Sequence, residues 1–502
     1  MEENNKIKIA NIVMIPSINV KCQLNLNIDS NTRIKQVINI DTCLIDEHIE
    51  SLGGKALIKG ALGVKVVYID QDNIYNTLSD SVNFSETINN ELFTPDCLLN
   101  IVNHQFICEF QQDDNYLKIS IDGNIDCCCN LNNSVTLLNQ TNSNLNTKKS
   151  ILNTCTCVQN INKTTNFDFD FKLDTRINKM LSCDSKIVLD ETKCHDGYVV
   201  VSGQIINNII YEYDKDGVPC IKISNNSTPF KCEVEAQNSD IQCSADLTCY
   251  INLNSTQIST DIADNYTNFN FEYYIVVKGN IFKDINIDLI EDLYCLDSEV
   301  EVIKNNYDIC KKESFFKFSE NVDAEISLAD ELNVDEILGM YNVSTNITRH
   351  VIKDDSIIVE GVISGNLLYL DETHQTKQLT TQLPYTIALK QQLQGELSGL
   401  SLNLTPIACK CKIKRGNILV LDCEISGSGN AYTKKTIELI ENVKYGKPLN
   451  YGDICFQIYL AHPNETSWDL CKRLHISQEK LIEYNKENPA TYNGGEKVIV
   501  YR

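Results

Sequence analysis

Gly60-Ala61-Leu62-Gly63-Val64-Lys65-Val66-Val67-Tyr68 recurs in altered form as Gly203-Gln204-Ile205-Ile206-Asn207-Asn208-Ile209-Ile210-Tyr211. It recurs again as Gly361-Val362-Ile363-Ser364-Gly365-Asn366-Leu367-Leu368-Tyr369. Each copy is a glycine, seven residues and a tyrosine, with apolar side chains two, six and seven positions after the glycine. Partial alternation of β-branched and aliphatic residues ending on an aromatic is the pattern of a strand with one packed face. Each copy is followed by a polar, turn-like stretch and then an aromatic: Phe84, Phe230 in Thr228-Pro229-Phe230, and Tyr385 in Leu383-Pro384-Tyr385. Proline at that place fits a strand entry or a sheet edge.

Further on, every copy reaches a Gly-Asn pair inside a strand-like stretch: Gly123-Asn124, Gly279-Asn280 and Gly429-Asn430. The copies stand about 140 to 160 residues apart, which gives each one domain of ordinary size. Asn132 through Thr147 is rich in Asn, Ser and Thr and reads as a loop or linker. Ile177 to Leu181 and Val334 to Leu338 share an apolar spacing that predicts one short helix ahead of the strand motif.

The last fifty or so residues follow a different pattern. Phe456-Gln457-Ile458-Tyr459-Leu460 alternates as a strand and is matched by Val498-Ile499-Val500. Between them, Thr466 and Asp469 form a capping-box pair that starts a helix with Trp468, Cys471 and Leu474 on one side and Lys472 and Arg473 near its end. Ser477 caps a second helix with Leu481 and Ile482 inward and Pro489 beyond its end. The reading is a small βααβ unit. The fold class is therefore mainly β and multidomain: three repeated β-rich domains over residues 1–150, 151–310 and 311–445, then the βααβ domain over 446–502.

Composition bounds the function. A net charge of −24 and a pI near 4.7 argue against nucleic acid, which needs clustered Lys and Arg to displace counterions. No window nears the ~18 apolar residues of a spanning helix, and the start, Met1-Glu2-Glu3-Asn4-Asn5, does not resemble a secretory signal. Both point to a protein kept in the cytosol, where disulfides are rare. The 22 cysteines have two readings. Most can be small buried hydrophobes. Alternatively Cys127, Cys128, Cys129, Cys155, Cys157, Cys409 and Cys411 are cross-linking thiols of an insoluble layer. Neither paired Cys-x-x-Cys motifs nor a His pair at helical spacing is present, so no metal and no cofactor is expected.

Catalysis finds no foothold either. The chain has no phosphate loop and no dinucleotide fingerprint. Cys194-His195 would point to opposite faces of a strand, and the Asp113-Asp114 and Asp354-Asp355 pairs read as turn carboxylates. The chain is expected not to be an enzyme.

The βααβ unit resembles a LysM domain, with Asn464-Glu465-Thr466-Ser467-Trp468-Asp469-Leu470-Cys471 where that family has Gly-Asp-Thr-Leu-Trp-x-Ile-Ala. Asn464-Glu465 in place of Gly-Asp is the departure that bears on sugar binding. The three upstream units resemble SPOCS domains, and the order of domains is similar to that of clostridial spore coat morphogenesis proteins. The resemblance implies a coat scaffold in the mother-cell cytoplasm at the forespore surface, whose LysM face, taken as Phe456, Ile458 and Trp468, binds a stage IV sporulation protein A-like coat ATPase. Other coat proteins, self-association and peptidoglycan are further partners it implies.

Overall fold

The computed structural model describes residues 5–28, 33–95, 97–113, 116–138, 144–173, 175–252, 257–260, 268–312, 316–328, 334–353, 356–390, 396–414, 418–450, 456–485 and 489–501. The pairs Asp113-Asp114 and Asp354-Asp355 fall partly or wholly outside them. The first unit runs β1 (Asn5–Asn27), β2 (Ile34–Ser51), β3 (Lys55–Asp70), β4 (Tyr75–Asn89), β5 (Leu98–Gln112) and β6 (Tyr116–Leu137). It makes two antiparallel sheets, β2-β3-β4 and β1-β6-β5. The second unit runs β7 (Leu145–Lys172), β8 (Lys179–His195), β9 (Tyr198–Lys215), β10 (Val218–Glu235), β11 (Cys243–Ile251), β12 (Gln257–Thr260) and β13 (Asn268–Cys295). Here the sheets are β8-β9-β10 and β7-β13-β11, with β12 also on β13.

The third unit runs β14 (Ser298–Lys312), β15 (Phe316–Ser327), β16 (Val334–Lys353), β17 (Ser356–Asp371), β18 (Thr376–Lys390), β19 (Glu396–Lys414) and β20 (Ile418–Pro448). It repeats the plan as β16-β17-β18 and β15-β20-β19, with β14 on the far half of β20. In each unit the two sheets face each other over their own apolar core, which is the logic of a β-sandwich. Pro229 and Pro384 lie in β10 and β18, both sheet edges, where a missing N–H breaks no ladder.

The repeated landmarks have one physical cause. Gly60, Gly203 and Gly361 sit opposite Phe84, Phe230 and Tyr385 in the ladder, and each ring covers its glycine. A Cβ there would collide with the ring and with the carbonyl of Asp46, Val188 or Asn346. Gly123, Gly279 and Gly429 are likewise pressed against the carbonyls of Gln105, Asp246 and Ser401. Close backbone approach explains why glycine recurs at these places in a strand.

The predicted short helices are strands instead. Met180 and Ser182 pair with Tyr211 and Ile210, leaving Leu181 as a bulge, and Ile337 and Gly339 leave Leu338 as another. The first unit has the same bulge at Ile38. A bulge adds one residue to the strand, so apolar side chains fall three apart and imitate helical spacing. The predicted linker from Asn132 is also corrected: β6 continues to Leu137, with Leu131 and Val135 buried and Ser134 exposed, while residues 139–143 lie outside the described set.

The three units pack around a common axis through equivalent residues. The bulge residues Ile38, Leu181 and Leu338 meet Val67, Ile210 and Leu368, the last apolar position of the three strand motifs, in one shared cluster. Beside it a polar knot joins all three units: Asp41 accepts from Asn39 at 2.6 Å and from Ser182 at 2.5 Å, and Asn366 donates to Asn39 at 3.0 Å. Beyond the sandwiches the outer halves of β1/β6, β7/β13 and β14/β20 form three ribbons, whose Ile9, Val135, Leu152, Ile287, Ile309 and Leu439 close a further cluster. Among the described residues no helix is long and apolar enough to cross a membrane.

Candidate functional site

The chain closes with β21 (Phe456–Leu460), α1 (Ser467–Leu474), α2 (Gln478–Tyr484) and β22 (Lys497–Tyr501), the two strands pairing antiparallel. The Thr466–Asp469 capping box is present, and Ser477 caps α2 by accepting from the Lys480 N–H. Asn464 takes a φ of 62°, the left-handed backbone for which glycine is usual, so the turn before α1 keeps its shape without glycine. Glu465 secures it: its carboxylate accepts from Arg473 Nε at 2.7 Å and Nη2 at 2.9 Å and from the His462 N–H at 2.8 Å. The Arg473 hydrogen bonds hold Glu465 below the usual carboxylate range, against a smaller effect of burial. Asn485 ties α2 to β22, accepting from the Ile499 N–H and donating to its carbonyl.

A module this small cannot bury a large core by itself. It borrows one from the second unit. Tyr294 of β13 is 1% exposed and packs among Leu470, Cys471, Leu474 and Leu481. Its hydroxyl donates to the Ile476 carbonyl at 2.7 Å. Trp468 meets Tyr294 edge to face at 5.0 Å, and its Nε1–H donates to Asp292 at 2.8 Å. Lys472 donates to the other Asp292 oxygen at 2.6 Å. His475 Nδ1 lies 2.8 Å from the Cys295 carbonyl, and since a carbonyl only accepts, the proton sits on Nδ1.

The three residues assigned to one binding face therefore separate. Phe456 and Ile458 stand on the outer face of the β21/β22 sheet, 47% and 55% exposed, while Trp468 belongs to the contact with β13. Leu460 at 57% and Tyr501 at 47% join the outer face, Tyr501 meeting Phe456 at 5.3 Å and Tyr484 at 5.0 Å. Leu460 was within reach of the period-two pattern that marks Phe456 and Ile458. Nothing near Trp468 in sequence announces Asp292 or Tyr294. Ile482 is a correction: it is 57% exposed rather than inward, because only Leu481 on this two-turn helix reaches the core.

Residues 33–106 and 176–263 match the family model described as SipL, SPOCS domain. The chain is SipL-like. These segments cover β2 to β4 with the start of β5, and β8 to β10 with β11 and β12, so the SPOCS match falls on corresponding parts of the first two units. A SPOCS domain links the chain to sporulation. No curated protein and no solved structure matches it.

Among the described residues of the three units the thiols are buried or half-buried. Cys127 and Cys129 face the first core, and Cys128, on the opposite face, joins Cys155 and Cys310 in a cluster on the axis. Burial pushes the Cys128 thiol up to about 12 and Cys411 up to about 11, and it raises Cys127, Cys129 and half-buried Cys157 as well. Thiols held in that range are protonated and weakly nucleophilic at neutral pH. Cys409 is bonded to Cys423 directly across the β19/β20 ladder, a disulfide within one unit. His195 stacks on Tyr198 at 4.9 Å. Among the described residues no three of His, Cys, Asp and Glu are grouped to hold a metal ion.

Proposed function

We propose that the chain is a non-enzymatic scaffold of the endospore coat, assembled in the mother cell on the forespore surface, with the unit from β14 to β20 as a third SPOCS unit and a LysM-type module at its end. The module binds the stage IV sporulation protein A-like coat ATPase through its outer sheet face. The observation that carries this reading is the row Phe456, Ile458, Leu460 and Tyr501, apolar and open on a module whose other side is fixed to β13. An exposed apolar strip of this kind on a docked module is a protein-binding feature. The acidic charge and the SPOCS match agree with a coat assembly role and not with nucleic acid.

A glycan-binding reading keeps one support, the preserved turn at Asn464 and Glu465 ahead of α1. A disulfide-linked lattice draws none from thiols buried and protonated inside the units. The deciding experiment is a pull-down with the full chain against the coat ATPase and against muropeptides. Ile458→Ser with Phe456→Ser should abolish ATPase capture and leave the fold intact by circular dichroism. Capture of muropeptides alone, or ATPase capture unaffected by both changes, refutes the proposal.

A further inference from the structure

Where the three sandwiches meet they leave a half-open cleft of about 670 Å³. That is room for a small molecule. Its wall comes from β2 and β5 of the first unit, β8 and β11 of the second and β16 to β19 of the third. Two kinds of surface face each other in it. From the first unit, Ile107 and Phe110 of β5 are 48% and 43% exposed, apolar groups open to water. From the third, Ser344, Ser364, Gln378 and Asn403 are half-buried, so their hydroxyls and amides still reach the cleft.

Among the described residues no protein group bonds to the side chains of these four. A hydroxyl and a primary amide each donate and accept, so the third unit's wall offers both roles without charge. The buried charges of the wall are already paired: Lys186 with Asp184 and the Val343 carbonyl, and Glu47 with Lys278. Glu109 is exposed and adds to the negative field of a chain with net charge −24, which repels an anion. A cation gains little from so exposed a carboxylate. What fits is a neutral molecule with donors and acceptors along one side and carbon along the other. A sugar ring has that form, with hydroxyls round its rim and C–H groups on its face.

We propose that this cleft binds the end of a neutral saccharide chain, its C–H faces on Ile107 and Phe110 and its hydroxyls on Ser344, Ser364, Gln378 and Asn403. The ligand touches the first and third units at once and braces their junction. A half-open cleft suits a chain end, because the rings beyond it stay in water. This assignment is independent of the coat reading and of any glycan held beside α1, because it uses no residue of the C-terminal module.

The test is saturation-transfer NMR on the full chain with cellotriose and maltotriose, beside anionic trigalacturonate. At least one neutral trisaccharide should receive saturation on its ring protons, and trigalacturonate should receive none. Phe110→Ala, at an exposed ring, should weaken that binding about tenfold in a protein whose circular dichroism is unchanged. Gln378→Ala combined with Asn403→Ala, on the opposite wall, should do the same. Should one of these variants fail to fold, the other decides. Binding of neither neutral trisaccharide, equal binding of trigalacturonate, or an affinity unchanged in the folded variants overturns the proposal.

Discussion

The three-unit body and the C-terminal module are stabilised in opposite ways. The body is closed by copies of one apolar position, Val67, Ile210 and Leu368, which pack against one another and against their bulge neighbours. The module has no copy of itself to meet, so it takes a tyrosine from β13 into its core and fastens the contact with one carboxylate, Asp292. Repetition supplies a self-complementary interface, whereas a small unit without a repeat leans on a neighbour. Trp468, the chain's only tryptophan, sits on the module's contact and reports it by fluorescence.

The largest test strikes the axis. Leu368 is 0% exposed, and Leu368→Asp buries a charge with no partner, a loss of several kcal/mol. If the units share one core, far-UV circular dichroism should report a body-wide loss of strand, and the Trp468 emission should shift red because β13 no longer presents Tyr294. An emission maximum that stays put while the third unit melts would show that the units are independent and would dissolve the comparison.

Next comes Tyr294→Ala, which empties the borrowed ring from the module core and should cost about 3–4 kcal/mol there. The expected result is a red shift of Trp468 with the strand signal of the body unchanged. Should the body melt at a lower temperature too, the module would be a brace for the body and not a dependent of it.

How much of this was legible depends on range. The strand motif, the capping box and the βααβ order are written in neighbours two to seven residues apart, and the coordinates show them where the pattern places them. The short helices failed because a bulge at Leu181 or Leu338 gives strand residues helical spacing, a distinction that only the ladder reveals. On the candidate face, alternation located Phe456 and Ile458 and could have located Leu460. Trp468 could be assigned to a surface or a core from sequence, yet its partner Asp292 is 176 positions away and has no local signature. The axis itself was hidden for the same reason, since a repeat predicts equivalent residues without saying that they touch.

The body and module should also respond oppositely to acid. Burial raises Asp41 to about 6, with nearby Asp184 adding to the rise and the Ser182 and Asn39 hydrogen bonds resisting it. A raised carboxylate favours the folded state below its unfolded value near 3.9 and loses that advantage as pH rises through about 6. Urea unfolding followed by circular dichroism should therefore show the body gaining about 1.3 kcal/mol from this group between pH 7 and pH 5. Asp41→Asn should remove that gain while leaving the general easing of charge repulsion; an unchanged gain would place the pH response elsewhere.

The smallest effect belongs to the module's carboxylate. Burial tends to raise Asp292, but the hydrogen bonds from Lys472 and Trp468 outweigh it and hold the group below the usual range. A depressed carboxylate contributes stability above its unfolded value near 3.9, and that contribution is lost as pH falls through the lower folded value. Asp292→Asn keeps an oxygen for the Trp468 Nε1–H and removes the charge that faces Lys472. Because Lys472 is itself 42% exposed, the loss at pH 7 should be only about 0.5–1 kcal/mol. Trp468 emission against urea should show that difference at pH 7 and a shrinking one as pH falls through the lowered value of the native carboxyl. A variant that weakens docking equally at every pH would mean that the shape of the contact, and not its charge, holds the module to β13.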